Sequence, residues 1–461
     1  MKQEQLIALC QRHNALLLES NDRRIAIAVI NEPSDDLMAA LRFATQKRID
    51  IECWTAEEME KHRQRLSAPQ LSVVTQDSAT TTAFLDHTLQ QALTLRASDI
   101  HFEPGEADFR IRLRVDGVLH TLPPVAPAMA KTVVARLKVL GNLDIAERRL
   151  PQDGQFTVTL NGKAISFRIA TLPCRYGEKV VLRLLHQVNQ TLELTQLGML
   201  PEQLAQFQTA LSNPQGLLLV TGPTGSGKTV TLYSALQSRN SDEVNICSVE
   251  DPVEIPLAGL NQTQINPRAG LSFQSVLRAL LRQDPDIVMV GEIRDDETAE
   301  IAIKASQTGH LVLSTLHTNS TSETLTRIQQ MGVAPWMLAS ALSLVVAQRL
   351  VRKLCPHCRS KIQSDTLIPP ALWPRPLPRW QSTGCEQCYH GFYGRIALFE
   401  VLPVNKPLRH AIAAGDTASD IHRKARQAGM TTLFESGCLA VERGLTTQEE
   451  LLRVLGIPHA D

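Results

Sequence analysis

Eight consecutive residues carry the clearest chemical signal in this 461-residue chain: Gly222-Pro223-Thr224-Gly225-Ser226-Gly227-Lys228-Thr229. Glycines at this spacing let backbone N–H groups curl around phosphate oxygens without a side chain in the way. Lys228 supplies a positive charge for the β and γ phosphates, and Thr229 places a hydroxyl where Mg²⁺ would sit, at a helix N-terminus whose dipole favours anions. The apolar run Leu217-Leu218-Leu219-Val220-Thr221 leads in, and a helix-like stretch through Leu236 leads out. That strand–loop–helix context is the one a phosphate loop requires. The ligands it predicts are ATP and Mg²⁺.

Three further clusters fall at the ends of predicted strands, where open α/β sheets bind ligands. The first is Ser248-Val249-Glu250-Asp251-Pro252-Val253-Glu254, and the second runs from Asp286 through Gly291-Glu292-Ile293-Arg294-Asp295. An ordinary metal-binding strand of this type ends in an aspartate; here the acid is Glu292, displaced by Gly291. The third is Thr308-Gly309-His310 with Leu316-His317-Thr318-Asn319. Phosphoryl transfer to water needs the metal held, the water oriented and the developing charge neutralised. Glu292 and Glu250 are candidates for the first two tasks, and His310 or His317 for a place near the γ-phosphate. Taken singly, each cluster is weak, because a carboxylate beyond a strand is more often merely solvated.

Cys355-Pro356-His357-Cys358 and Cys385-Glu386-Gln387-Cys388 form two Cys-x-x-Cys pairs separated by 26 residues. Four thiolates at this spacing suit a closed tetrahedral Zn²⁺ site with no open position for catalysis. Redox-active pairs and a zinc-ribbon contact to nucleic acid are the alternatives. The stretch between them is proline-rich over 369–378, with little sign of a core of its own, so the metal is expected to supply the fold. Cys10, Cys53, Cys174, Cys247 and Cys438 have no partner spacing and read as buried small apolar residues.

The elements that must position these groups follow from periodicity. Residues 216–220, 245–249, 287–290 and 311–316 are short continuous apolar runs separated by helical patterns, which predicts a parallel sheet with crossover helices. Upstream, Phe109-Arg110-Ile111-Arg112-Leu113-Arg114-Val115 alternates with a period of two, a half-buried strand, and Asp116-Gly117 supplies a hairpin turn. The segment 6–60 reads as a small α+β unit with strands at 24–30 and 49–54 and a helix at 34–45. In the tail, Thr446 and Glu449 fit a capping box, with Thr447 and Glu450 one step out of register. The predicted layout is a short N-terminal α+β domain at 1–65 and a linker at 66–82. An α+β domain at 83–197, an α/β nucleotide-binding core at 198–350, a tetracysteine module at 351–400 and a helical region at 401–461 complete it.

Lys+Arg and Asp+Glu both number 47, so there is no net basic field to draw the chain onto nucleic acid. The longest apolar candidate, 336–347, is far short of a bilayer span. The first residues are polar where an export signal would be basic and then apolar, so a cytoplasmic protein is expected.

In this order and spacing, the motifs resemble the ATPases of type II secretion and type IV pilus assembly. The matching features are residues 222–229, the acidic box at 250–254, the strand entered by Leu281-Arg282-Gln283-Asp284-Pro285-Asp286, and the histidine box at 310–319. Upstream, Ala97-Ser98-Asp99-Ile100-His101-Phe102-Glu103-Pro104, Asn142-Leu143-Asp144-Ile145-Ala146-Glu147 and Leu150-Pro151-Gln152-Asp153-Gly154 match as well. The resemblance implies that 83–197 is PAS-like and 198–350 RecA-like, with ATP between them, and that six chains form a ring. It implies roles at the ATP site for Arg168 and Arg183, and matches Arg278, Arg282 and Arg294 to further basic positions of the motor. It also implies an inner-membrane platform protein as partner, pilin-like subunits as indirect cargo, peripheral attachment to the inner membrane and no direct nucleic-acid contact. The tetracysteine element belongs to the assembly branch of that family. Two other readings of the same residues are a nucleotide-gated scaffold without productive turnover and a nucleic-acid translocase.

Overall fold

The computed structural model describes residues 10, 15–20, 24–30, 33, 35–44, 47–55, 78–185, 193–363 and 366–458. It divides into two compact units, Met1–Thr80 and Thr81–Asp461.

The first unit is a three-stranded sheet in the order β1 (Leu16–Ser20), β2 (Arg24–Ile30), β3 (Arg48–Trp54), antiparallel then parallel. The helix Asp35–Ala44 makes the crossover. Leu37 and Leu41 are one turn apart, and both bury against Ile25, Ile27 and Val29 of the central strand. Residues 56–65 of the expected domain and 66–77 of the expected linker lie outside the described residues. The linker's remaining positions, 78–82, are helical, the start of Ser78–Thr94.

The second unit opens with a six-stranded antiparallel sheet built from β4 (Ala97–Pro104), β5 (Phe109–Val115), β6 (Val118–Thr121), β7 (Gln152–Leu160), β8 (Lys163–Cys174) and β9 (Gly177–Leu185). Its order is β6-β5-β4-β9-β8-β7. On β5, Phe109, Ile111, Leu113 and Val115 are buried, while the intervening arginines face outward. Asp116 and Gly117 take φ of 49° and 87°, the left-handed pair that a two-residue turn needs. The Asp116 carboxylate also accepts from Gly394 N at 3.0 Å.

The remaining strands are β10 (Gly216–Thr221), β11 (Ile246–Glu250), β12 (Asn261–Gln264), β13 (Ile287–Val290), β14 (Leu311–Leu316), β15 (Leu342–Leu354), β16 (Arg359–Ile362), β17 (Arg379–Ser382) and β18 (Phe392–Pro403). Seven form one sheet, ordered β12-β11-β13-β14-β10-β15-β18, parallel from β12 through β15. All six residues of β10 are buried. Leu217 and Leu219 enter one core while Leu218 and Val220 enter the other, so the run is continuous because both faces are covered by helices.

The sheet does not stop at 350, where the core was expected to end. β15 continues to Leu354 and pairs antiparallel with β18, from Leu344 opposite Pro403 to Leu354 opposite Phe392. The charges at 349, 352 and 353 masked this continuation, because Arg349 and Arg352 find partners at Asn319 and Glu450, far away in sequence. The cysteine segment is therefore an insertion at the tip of a long hairpin. It has a core after all: Ile368 and Leu377 bury beside Leu433, Phe434, Cys438 and Val441 of the C-terminal helices. The last helix, Gln448–Leu455, is capped by Thr447, which accepts from Glu450 N, and not by Thr446. Thr446 instead donates to Arg352 O, and the Glu450 carboxylate turns to Arg352 and Arg453.

Candidate active site and metal centre

β10 delivers the loop at its carboxyl end, and two glycines there have no alternative. A Cβ on Gly222 (φ +150°) would lie 2.5 Å from Gln348 O, and one on Gly227 (φ +88°) 2.8 Å from Gln348 Nε2. The helix Lys228–Arg239 starts from Gly227, so its free N–H groups face the loop. Lys228 is 8% exposed, and its Nζ donates to Gly222 O at 2.7 Å and Pro223 O at 3.1 Å. Burial pulls its pKa down to about 8; nearby Glu292 works against that fall and Arg349 adds to it. Ser226 is buried, with a hydroxyl oxygen that has no protein partner. Pro223, Thr224 and Gly225 are exposed, and Thr229 is half-buried on the first helical turn.

Glu292 follows β13 on the same edge. Gly291 must be small because a Cβ would sit 3.2 Å from Val249 O and 3.4 Å from Glu250 Cα, and its N–H donates to Val249 O at 2.8 Å. That close approach explains the displaced acid. Glu292 is half-buried, ion-paired to Arg294 and 3.6 Å from His317 Nε2. Burial works to raise its pKa, but the Arg294 hydrogen bond and charge, then His317 and Lys228, hold it below the ordinary carboxylate range. Burial and Lys228 push the His317 imidazole down, with Glu292 pulling the other way. The arrangement is a carboxylate kept ionised beside an imidazole, with its charge acting on the lysine of the phosphate loop: a group able to accept a proton from water.

Two expected participants stand elsewhere. Glu250 is 4% exposed, and its carboxylate accepts from Ser248 Oγ at 2.5 Å, Gln262 Nε2 at 3.2 Å and the Tyr233 hydroxyl. Both oxygens accept hydrogen bonds from the protein, so it braces β11 against the loop's helix. Burial, then Glu250, drives the Tyr233 phenol well above its usual pKa. Glu254 is the acid of that box that is exposed and whose charge acts on Lys228. His310 precedes β14, at the opposite end of the strand from His317; six residues of strand put them about 20 Å apart. Its Nδ1 lies 3.0 Å from Ala305 O. The shared sequence box concealed that its two histidines occupy opposite sheet edges.

Arg168 and Arg183 are directly opposite on β8 and β9. Arg168 lies 3.7 Å from Asp153, and Arg183 donates to Asp99 at 2.8 Å. Among the described residues, neither makes a hydrogen bond or ion pair to the phosphate loop. Arg278 pairs with Glu297, and Arg282 donates to Arg278 O. Gln348 and Arg349, which back the loop, were missed; the only sequence signal is a polar pair interrupting an apolar strand.

The four cysteine sulfurs at 355, 358, 385 and 388 lie within 4.8 Å of one another. Sγ–Sγ separations are 3.8 Å for Cys355–Cys385 and 3.6 Å for both Cys358–Cys388 and Cys385–Cys388. Four thiolates around Zn²⁺ with bonds of about 2.3 Å would be about 3.8 Å apart, so the donor set and its spacing fit a structural zinc. Cys10, Cys247 and Cys438 are buried as expected, whereas Cys53 and Cys174 are exposed, each near the end of a strand where the core does not reach. Among the described residues no helix is long and apolar enough to cross a membrane.

Comparison with known proteins agrees with this geometry. The chain is 65% identical over 457 residues to the protein transport protein HofB homolog of Escherichia coli, covering 99% of both. It is 46% identical to the type IV pilus assembly ATPase PilB of Acinetobacter baylyi, over 82% of this chain and 67% of that one. It is 44% identical to type II secretion system protein E of Klebsiella pneumoniae, over 84% and 78%. Among solved structures, the pilus retraction motor PilT with bound ADP superimposes with a TM-score of 0.54 at 26% identity, covering 80% of this chain and 96% of that one. The Legionella pneumophila ATPase DotB shares the fold, with a TM-score of 0.61 at 20% identity, over 83% and 97%. The Type II/IV secretion system protein family matches residues 74–453, and the chain belongs to it.

Proposed function

We propose that this ATPase is the hexameric motor that powers assembly of a type IV pilus or a type II secretion pseudopilus. It works from the cytoplasm, held to the inner membrane through a platform protein that adds pilin-like subunits. The observation that carries this reading is Glu292 and His317, 3.6 Å apart, on the sheet edge that also presents Lys228. The names of its relatives supply the machine.

In this reading the backbone of residues 222–227 cradles the phosphates, and Lys228 leaves the Gly222 and Pro223 carbonyls to meet them. Thr229 would hold Mg²⁺, which would neutralise charge on the phosphates. A water attacks the γ-phosphorus and Glu292 takes its proton; the bond from that phosphorus to the β-γ bridging oxygen breaks, and the oxygen leaves with ADP, keeping the electron pair. His317 orients Glu292. The antiparallel sheet acts as the PAS-like lobe, closing on the RecA-like lobe so that Arg168 and Arg183 exchange Asp153 and Asp99 for phosphate oxygens. The four thiolates of Cys355, Cys358, Cys385 and Cys388 would hold Zn²⁺, which would brace the insertion.

The experiment is Mg²⁺-dependent phosphate release by the wild type, Lys228→Ala and Glu292→Gln, with ring size followed by light scattering. Both variants are expected to form rings and to lose about 10²- to 10³-fold in rate. A folded Glu292→Gln ring with undiminished hydrolysis sinks the catalytic assignment. A wild-type ring that binds ATP without turning it over favours a scaffold, and stimulation by nucleic acid favours a translocase.

A further inference from the structure

Arg349 on β15 is 8% exposed and forms no ion pair among the described residues; burial pulls its pKa down, and the carboxylates of Glu323 and Glu400 oppose that only from a distance. A guanidinium buried without a direct ion pair is expensive, so its three hydrogen bonds ask for an explanation. Nη1 donates to Gln348 O at 3.0 Å, and Nη2 donates to both Asn319 O at 3.1 Å and Asn319 Oδ1 at 3.0 Å. Gln348 meanwhile abuts both ends of the phosphate loop: its O lies 2.5 Å from a Cβ on Gly222 and its Nε2 2.8 Å from one on Gly227. Its Oε1 accepts from Thr231 on the following helix at 2.8 Å. Asn319 sits two residues beyond His317, whose imidazole faces Glu292. Two adjacent residues of β15 thus touch the loop that would hold phosphate and the segment that carries the histidine.

We propose that Arg349 is a positioning residue for hydrolysis: braced against the phosphate loop, it fixes the 317–319 segment so that His317 faces Glu292. The inference rests on the ATPase reading above and adds to it a residue that touches no nucleotide. Lysine would keep the charge but not the fork that joins Gln348 O through Nη1 to Asn319 through Nη2, so geometry and charge separate. Asn319 is exposed, which makes its removal cheap for the fold.

The test compares Arg349→Lys, Asn319→Ala and the double variant as full-length rings, measuring kcat and KM for ATP and the affinity for a fluorescent ADP with Mg²⁺. Each single change is expected to lower kcat about 10- to 100-fold, the scale of a small misplacement of a catalytic group. KM and ADP affinity should stay within about threefold, and the double variant should be no slower than the slower single. Wild-type kcat in Arg349→Lys, multiplying effects in the double, or ADP affinity falling in step with kcat would each overturn the proposal. Equal phosphate release by wild type and Lys228→Ala would instead remove the ATPase reading itself.

Discussion

The phosphate loop and the cysteine knuckles are both ligand cradles, yet they are held in opposite ways. The knuckles are local: each pair is a tight turn, and the two meet because β15 and β18 pair up to Leu354 and Phe392, with a shift of register after Arg352. The loop edge is assembled from afar, with Gly291 pressed on β11, Thr221 bonded to Thr318 and Gln348 lodged behind Gly222. A site with local geometry leans on its metal for stability. A site made of many strand ends needs no ligand to stand but is sensitive at each support.

That contrast can be broken most forcefully at the metal. Chelation, or Cys385→Ser, is expected to release one metal per chain and to destabilise the insertion by several kcal/mol, less than a free-standing finger loses because Ile368 and Leu377 still pack. Metal analysis and thermal unfolding measure this, and fluorescent ADP affinity should hold. Parallel loss of ADP binding would show that the two cradles are one unit.

A finer test lies within one strand. His317→Ala should lower kcat about 10-fold or more, while His310→Ala, at the far edge, should leave it within about twofold. Similar losses in both would mean that the far edge meets nucleotide in the ring.

The smallest effect is in protons. Lys228, its pKa pulled down to about 8 by burial, is charged below that pH and increasingly neutral above it. Phosphates favour the charged form, so binding above about pH 8 should take up a proton, and affinity should weaken by at most tenfold per pH unit. Calorimetry of ADP binding in buffers of different ionisation enthalpy reads this uptake directly. No uptake at pH 9 would show that Lys228 is already charged in the empty loop.

Where chemistry and backbone coincide, the sequence was legible. The phosphate loop, the strand at 287–290, the hairpin at Asp116-Gly117 and the cysteine pairs each state their structure within a few residues. Glu250 and His310 misled because a residue beside a strand end can turn inward, or can belong to the strand's other end, and spacing alone does not say which. Arg349 was silent for the reverse reason: its partner Asn319 is thirty residues away, joined only by sheet order. The core boundary at 350 failed likewise, since charged residues can continue a strand when distant groups satisfy them.

The lysine folded back on its own loop has a calorimetric consequence. The Gly222 and Pro223 carbonyls hold its ammonium. Phosphate oxygens would replace these two neutral acceptors with charged ones, so the number of hydrogen bonds stays the same and the heat comes from their charge assistance. A neutral ligand has nothing to offer an ammonium already solvated by carbonyls. A polyanion does, and the loop therefore selects by charge before it selects by shape.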